Sequence, residues 1–323
     1  MTPAGPARSE DTRPTRVTAV INQKGGVGKT ALSVGVAAAL AEMSKRVLLV
    51  DLDPQGHATT EYLGLAESQP DAPSLARALS RMWKGPISDL VVRHPFAAVC
   101  PPGTLDVLPT SAAMFDLVRR LDQLRVPVWQ LGRVLQFADY EHIVIDCPPA
   151  LDVLTNNALA IADGLLVPVQ LDKTSVRAVR LLAEQVRQLE QSLGREPIEW
   201  YGLVPSLYRR PISTYARQAL VELQGLGHPM LDHVPQGVVV NEAASRGVPV
   251  TTFAPATVQA VAYRKIARVV DLKQPGQAVP VPAEDDGFVF EDFISDVARS
   301  RNERDMQNSR RKLYDLLPKK LRH

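Results

Sequence analysis

Residues 23–30, with the sequence QKGGVGKT, are the residues whose types and spacing point most directly to chemistry. They follow the apolar run VTAVIN and precede the helical stretch ALSVGVAAALAEM. Glycines at positions 25, 26 and 28 allow backbone N–H groups to turn inward around phosphate oxygens. In this context Lys29 is expected to reach the β and γ phosphates, and the Thr30 hydroxyl is expected to bind Mg²⁺. A plain glycine turn is the alternative, and the position of GKT between strand and helix favours the phosphate loop.

Three aspartates follow two other apolar runs. Asp51 and Asp53 close the segment VLLVDLDPQG, and Asp146 closes HIVID. In open α/β sheets ligands bind outside the carboxyl ends of the strands, where carboxylates hold a Mg²⁺-bound water or orient an attacking one. We therefore predict metal binding by Thr30, Asp51 and Asp146. A role for Asp51 and Asp53 as caps of the following turn is the alternative.

The elements that must position these residues alternate between short β-branched runs and longer stretches with helical spacing. This alternation predicts an α/β fold of the P-loop type, with a mostly parallel sheet and helices on both faces. The run HIVID has almost no polar alternation, which indicates a strand buried on both sides. The predicted strands are 17–21, 47–50, 142–145, 165–169 and 200–204, and the predicted helices include 31–43, 111–121, 153–162 and 175–193.

Composition divides the chain into three parts. Residues 1–15 are polar and proline-dotted, which predicts a disordered tail, and residues 16–273 form the predicted ATPase domain. Residues 274–323 begin with a Pro/Gly-rich linker and continue as an acidic and then basic extension.

The overall composition excludes several classes of protein. The chain has 323 residues, 45% hydrophobic and 22% charged, which is ordinary for a globular protein. A net charge of +2 gives no global field for nucleic acid, so a basic surface must come from local clustering. No signal segment or run of about 20 apolar residues is evident, and the two cysteines, Cys100 and Cys147, are expected to be free thiols in the cytoplasm.

The phosphate loop departs from the common pattern, which has glycine where this chain has Gln23 and requires no lysine at position 24. With this extra Lys24, the sequence resembles the ParA/MinD superfamily of deviant Walker A ATPases. The resemblance implies that Lys24 crosses to the partner's nucleotide in an ATP-dependent homodimer, and that Asp53 positions the hydrolytic water. With the stretch VPQGVVVNEAASRGVPV, it implies these ATP contacts: Lys24, Gly25, Gly26, Val27, Gly28, Lys29, Thr30, Ala31, Pro235 and Gln236.

The sequence departs from the family pattern at several positions. Ala31 stands where the family commonly has a second threonine, and Pro205 and Ser206 stand where relatives often have Asn or Thr near the base. The DPQG segment resembles the ParA (Soj-like) branch rather than MinD, and Pro318 shortens the apolar face of the terminal basic segment. A MinD-like ATPase that cycles on membranes is therefore the minority interpretation. An iron-protein reductase is disfavoured because Cys147 adjoins Asp146 and Cys100 lies in an unrelated context.

The resemblance implies a partition ATPase that binds DNA without sequence preference and segregates a plasmid or chromosome on the nucleoid with a ParB-like partner. The short polar start predicts no N-terminal helix-turn-helix domain. A ParA-like protein that positions a protein cargo is the other alternative. Candidate DNA contacts, chosen where family members carry basic residues, are Arg209, Arg210, Arg217, Arg246, Arg264 and Lys265.

Overall fold

An eight-stranded sheet organises the part of the chain that the structure describes, residues 15–69, 72–95, 103–121, 127–208 and 212–273. The structure is a computed structural model. The strands lie in the order β3-β4-β2-β5-β1-β6-β7-β8, and all neighbours are parallel except β3 and β4. The strands are β1 Arg16–Val20, β2 Arg46–Asp51, β3 Val92–Arg93, β4 Thr104–Leu108, β5 His142–Asp146, β6 Gly164–Val169, β7 Glu199–Tyr208 and β8 Val234–Pro235.

Helices connect the parallel strands. They are α1 Lys29–Glu42, α2 Leu75–Leu79, α3 Met114–Leu121, α4 Gln130–Leu135, α5 Val153–Ile161, α6 Lys173–Leu193, α7 Thr214–Gln224, α8 Val238–Ala244, α9 Val250–Phe253 and α10 Val258–Leu272. A turn of π-helix spans Ala58–Tyr62, after the DPQG segment. No described helix has the length and apolar character needed to cross a membrane.

Both faces of the sheet are buried, because successive strand residues point into two different apolar clusters. In β2, Leu48 and Val50 belong to the apolar cluster that also contains residues of α2 to α7, whereas Val47 and Leu49 belong to the cluster that contains residues of α1 and α10. The predicted α/β fold with helices on both faces is therefore confirmed, and the parallel order places the carboxyl ends of β1, β2 and β5 side by side. The predicted tail, apart from Thr15, and the predicted extension 274–323 lie outside the described residues, as does Cys100.

The close packing of α1 on α10 depends on Gly35. A Cβ added at Gly35 would lie 2.5 Å from Cγ of Tyr263, a fully buried ring. We expect Gly35→Ala to lower the free energy of unfolding by about 1–3 kcal/mol, because overpacking outweighs the gain in helix propensity of up to about 1 kcal/mol. Urea denaturation measures this. Gly225→Ala is the control, since its Cβ would meet nothing closer than 3.5 Å, and equal destabilisation of both variants would contradict the packing argument.

Candidate functional site

A cleft of about 750 Å³ opens at the carboxyl edge of the sheet. It lies between the start of α1, the segment after β2, and the segments around the ends of β7 and β8. Most of the predicted nucleotide-binding residues line it: Gly25, Gly26, Gly28, Lys29, Thr30, Ala31, Pro235 and Gln236. Val27 is fully buried and does not line the cleft, and neither does Lys24.

The loop before α1 has the backbone shape of an anion site. Gly26 and Gly28 have φ angles of 69° and 87°, a region that residues with a Cβ rarely adopt. The side chain of Asn22 fixes the start of the loop, since its Oδ1 accepts from the backbone N–H of Lys24 at 2.9 Å. Gly28 precedes α1 without any side-chain cap, which leaves the N–H groups of the first turn to a ligand.

Lys29 places a positive charge at the base of this loop. Its ammonium lies 3.3 Å from the carbonyl oxygen of Lys24, and the residue is 8% exposed. Burial lowers the pKa of Lys29, while the carboxylates of Asp146 and Asp53 act in the opposite direction. Because the Lys29 ammonium has little water around it, its attraction to an anion in the cleft is stronger than that of a surface lysine.

Two buried carboxylates lie beside each other below the loop. Asp51 and Asp146 end the adjacent strands β2 and β5 and are paired in register. Asp51 Oδ2 accepts from the backbone N–H and hydroxyl of Thr59, and Asp146 Oδ1 accepts from the Ser33 hydroxyl at 2.8 Å. Burial, with mutual repulsion, raises the pKa of Asp51, and burial raises the pKa of Asp146 despite hydrogen bonds from Ser33 and Thr30.

These residues suit a small divalent cation. Asp51 Oδ1 and Asp146 Oδ2 are both buried and have no hydrogen-bond partner, so each has a lone pair that a cation or its bound water can use. Thr30 lines the cleft beside Asp146 and adds a hydroxyl oxygen. Oxygen donors of this kind suit Mg²⁺, an ion that takes few protein ligands and keeps several waters.

Asp53 lies in the cleft and also caps a turn. Its Oδ1 accepts from the backbone N–H of Gln55 at 3.0 Å, and its backbone carbonyl accepts from Gly56. The capping role considered from the sequence is therefore present. The same residue lines the cleft together with Lys29 and Thr30, which is compatible with a role in positioning the hydrolytic water. That role stays a prediction.

The side chain of Lys24 forms an ion pair within its own chain. Its ammonium pairs with Oδ2 of Asp172, while Oδ1 of Asp172 accepts from the backbone N–H of Ser175 and caps α6. Partial burial alone would raise the pKa of Asp172, but hydrogen bonds from Lys24, Thr174 and Ser175 lower it to about 2. A contact between Lys24 and a second subunit would therefore replace an existing ion pair.

Ser206 and residues 234–237 form the side of the cleft away from the carboxylates. We call residues 234–237 the outer loop. Ser206 reaches the phosphate loop: a Cβ on Gly28 would lie 3.7 Å from the Ser206 Cβ. Its hydroxyl donates to the carbonyl of Val204, which leaves the oxygen only as an acceptor. Pro235 and Gln236 face the same cleft, and their contact with ATP stays a prediction.

The predicted DNA contacts differ in how far they are engaged within the chain. Arg217 is exposed on α7, and the guanidinium of the exposed Arg246 lies 4.7 Å from the ring centroid of Phe253. Lys265 pairs with Asp232 at 2.8 Å. Arg264 binds Glu42 at 2.6 Å and the carbonyls of Thr251 and Pro255, so its guanidinium joins α10 to α1 and α9. Arg209 and Arg210 lie outside the described residues.

Three residues around the site were missed in the sequence. Asn22 and Asp172 each follow the end of a parallel strand within a few residues. Asp172 also immediately precedes a helix, and an aspartate at that position is a sequence signal for an N-cap. Gln259, whose amide donates to the Pro235 carbonyl, has no such signal. Cys147 is fully buried, and burial raises the pKa of its thiol, which disfavours the thiolate needed by an iron–sulfur cluster.

Comparisons with known proteins find a matching family model and several relatives. The family model described as an AAA domain matches residues 15–197. The chromosome partitioning protein ParA of Caulobacter vibrioides (strain NA1000 / CB15N) is 35% identical over 262 residues, which cover 80% of this chain and 94% of that protein. The sporulation initiation inhibitor protein Soj of Bacillus subtilis (strain 168) is 31% identical over 259 residues, which cover 79% of this chain and 98% of that protein.

A solved structure of a relative with bound nucleotide has a similar fold. The crystal structure of cobyrinic acid a,c-diamide synthase from Mycobacterium smegmatis, with bound ATP analogue and magnesium, has a TM-score of 0.67 and 30% identity. The match covers 79% of this chain and 93% of that chain.

Proposed function

The chain belongs to the ParA/MinD superfamily of P-loop ATPases, and from that membership we propose that it is a ParA-type partition ATPase. It binds Mg²⁺ and ATP, dimerises around the nucleotide, and in that state binds DNA without sequence preference. A ParB-like partner stimulates hydrolysis, which releases the dimer, and the cycle moves a plasmid or chromosome over the nucleoid in the cytoplasm.

One arrangement carries this proposal: the uncapped glycine loop, the buried Lys29 and the paired Asp51 and Asp146 all lie at one edge of the sheet. Loop N–H groups and Lys29 bind and orient the phosphates. Thr30, Asp51 and Asp146 would hold Mg²⁺, which when bound neutralises charge on the phosphate oxygens. The nucleotide- and magnesium-bound relative supports this assignment.

Two further residues complete the proposed cycle. Asp53, at the edge of the same cleft, orients the attacking water. Lys24 exchanges Asp172 for the partner's nucleotide when two subunits meet, so one ion pair is replaced by another and ATP becomes the condition for dimerisation.

DNA binding is tested by a salt series on random-sequence DNA with ATP, ADP and no nucleotide. Phosphate contacts release counterions, so affinity should fall steeply with salt. We expect Arg217→Ala and Arg246→Ala each to reduce the slope of log K against log salt by about 1 for each lost contact, without a change in sequence preference. The Arg209→Ala/Arg210→Ala double variant tests the pair outside the described residues in the same way.

Arg46→Ala is the matched control, because Arg46 pairs with Asp139 at the amino end of β2, opposite the cleft. Arg264→Ala is unsuitable as a DNA test, since it would remove contacts within the fold. If the slope of log K against log salt were unchanged in all of these DNA variants, the DNA-binding surface would lie elsewhere. Residues 310–322 would then be the next candidates to test. Failure of the wild-type chain to bind DNA with ATP would contradict the partition role.

A further inference from the structure

The outer loop has little secondary structure of its own to hold it. It contains β8, which is two residues long and pairs with β7 only at Ser206 and Tyr208, with a register shift between them. Gly237, at its end, precedes α8 without a side-chain cap. A segment that forms a wall of a binding cleft, and whose own strand is so short, is positioned by the side chains that pack behind it.

The position of the carboxylates decides which part of a nucleotide the outer loop faces. When the phosphates are held at the glycine loop, the phosphate bond that hydrolysis breaks must face Asp53. It must also face the cation site at Asp51 and Asp146. The nucleoside then extends toward the other wall, formed by Ser206, Pro235 and Gln236. This direction agrees with the ATP contacts that the resemblance implies for Pro235 and Gln236, so we assign the outer loop as the wall that faces the nucleoside.

Gln259 supports this loop from α10. Its side-chain amide donates to the carbonyl oxygen of Pro235 at 3.2 Å, and the residue is 5% exposed. The carbonyl only accepts, so the NH₂ end of the amide must face it. Gln259 lies behind the loop and does not line the cleft.

The fit between Gln259 and the loop is steric as well as polar. A Cβ added at Gly237 would lie 2.3 Å from Nε2 of Gln259. The backbone of Gly237 is extended, with φ of −162°, so alanine there meets no backbone strain and its only obstacle in this region is the amide. Gly237 and Gln259 thus form a matched pair that sets how close the loop lies to α10.

We propose that Gln259 is a positioning residue for the outer loop, and through it sets affinity for the nucleoside part of the nucleotide and not for the phosphates. This inference rests on the proposed ATPase function. It assigns a role to a residue that contacts neither phosphate nor metal, and it separates the cleft into a phosphate half fixed by α1 and a nucleoside half fixed by α10.

The test compares ATP with inorganic triphosphate, which has no nucleoside, on the full-length chain with Mg²⁺. We expect Gln259→Leu to raise the Kd and KM for ATP about 3- to 10-fold, because one hydrogen bond that fixes the loop is lost. The Kd for triphosphate should stay within twofold of wild type, and so should kcat at saturating ATP. A conservative Gln259→Glu variant, which cannot donate when ionised, should resemble Gln259→Leu in ATP binding.

Gln185→Leu is the matched control. Gln185 is also a buried glutamine on a helix, and its amide donates to Asn156 at 2.9 Å, away from the cleft. It should lower the thermal midpoint without changing KM for ATP. If both variants raise KM equally, the effect of Gln259 is general destabilisation and the inference is wrong.

The steric half of the inference is tested by a double variant. Gly237→Ala alone should weaken ATP binding by pushing the loop from α10, and Gly237→Ala/Gln259→Ala should bind no worse than Gln259→Ala, since the clashing amide is gone. Additive losses, or an equal loss of triphosphate affinity, would overturn the inference. If the wild-type chain bound neither ATP nor triphosphate, the proposed function itself would fail, which is a separate and distinguishable result.

Discussion

Replacing Lys24 by alanine is expected to abolish ATP-dependent dimerisation while ATP remains bound. The Lys29 ammonium and the loop N–H groups still hold the phosphates, because Lys24 does not line the cleft of its own chain. Removing one member of a buried charge pair across an interface costs about 3 kcal/mol, so dimer affinity should fall on the order of 100-fold or more. Analytical ultracentrifugation with ATP measures the dimer, and nucleotide titration measures binding.

Three further variants make this result specific. Lys29→Ala should instead raise the Kd for ATP on the order of 100-fold, since its charge lies in the cleft. Lys173→Ala removes an exposed charge next to Asp172 and should leave dimerisation unchanged. Asp172→Asn keeps a helix cap and frees Lys24, so it should dimerise at least as well as wild type. An ATP-bound dimer of the Lys24 variant with full hydrolysis would remove the cross-subunit role.

Asp53→Asn is expected to bind ATP normally and to hydrolyse it about 10²- to 10⁴-fold more slowly, because only the orientation of the attacking water is lost. The asparagine oxygen can still accept from the Gln55 N–H, so the turn that Asp53 caps is preserved. The substitution therefore separates the two roles of this residue. Single-turnover hydrolysis and nucleotide titration measure them.

The trapped state gives a second readout for Asp53. Because hydrolysis ends the dimer, Asp53→Asn should stay dimeric with ATP for longer than wild type. Turnover equal to wild type in Asp53→Asn, with loss of stability in Asp53→Ala, would show that Asp53 is a turn cap only.

The strands that the sequence revealed are the ones buried on both faces. All five predicted runs overlap β1, β2, β5, β6 or β7, because a short continuous apolar run between turns is typical of a strand covered by helices on both sides. β4 was missed, since Asp106 interrupts its apolar pattern. That carboxylate is satisfied by Arg93 on β3 and by the Tyr140 hydroxyl, partners that no local pattern indicates.

The same distinction applies to the candidate site. The phosphate loop and the aspartates were predictable because their residue types and their place after a strand follow from local chemistry. The ion pair of Lys24 with Asp172 and the bond from Gln259 to Pro235 join residues 148 and 24 positions apart. Their existence depends on which strands become neighbours and on how α10 packs, and neither is encoded in a short segment.

The most direct test of the account is the mass of the full-length wild-type chain in solution with Mg²⁺ and ATP, with Mg²⁺ and ADP, and without nucleotide. We expect one subunit of 35.3 kDa without nucleotide and with ADP, and twice that mass with ATP. The same mass in all three conditions, whether of one subunit or of two, would contradict a dimer held together by ATP.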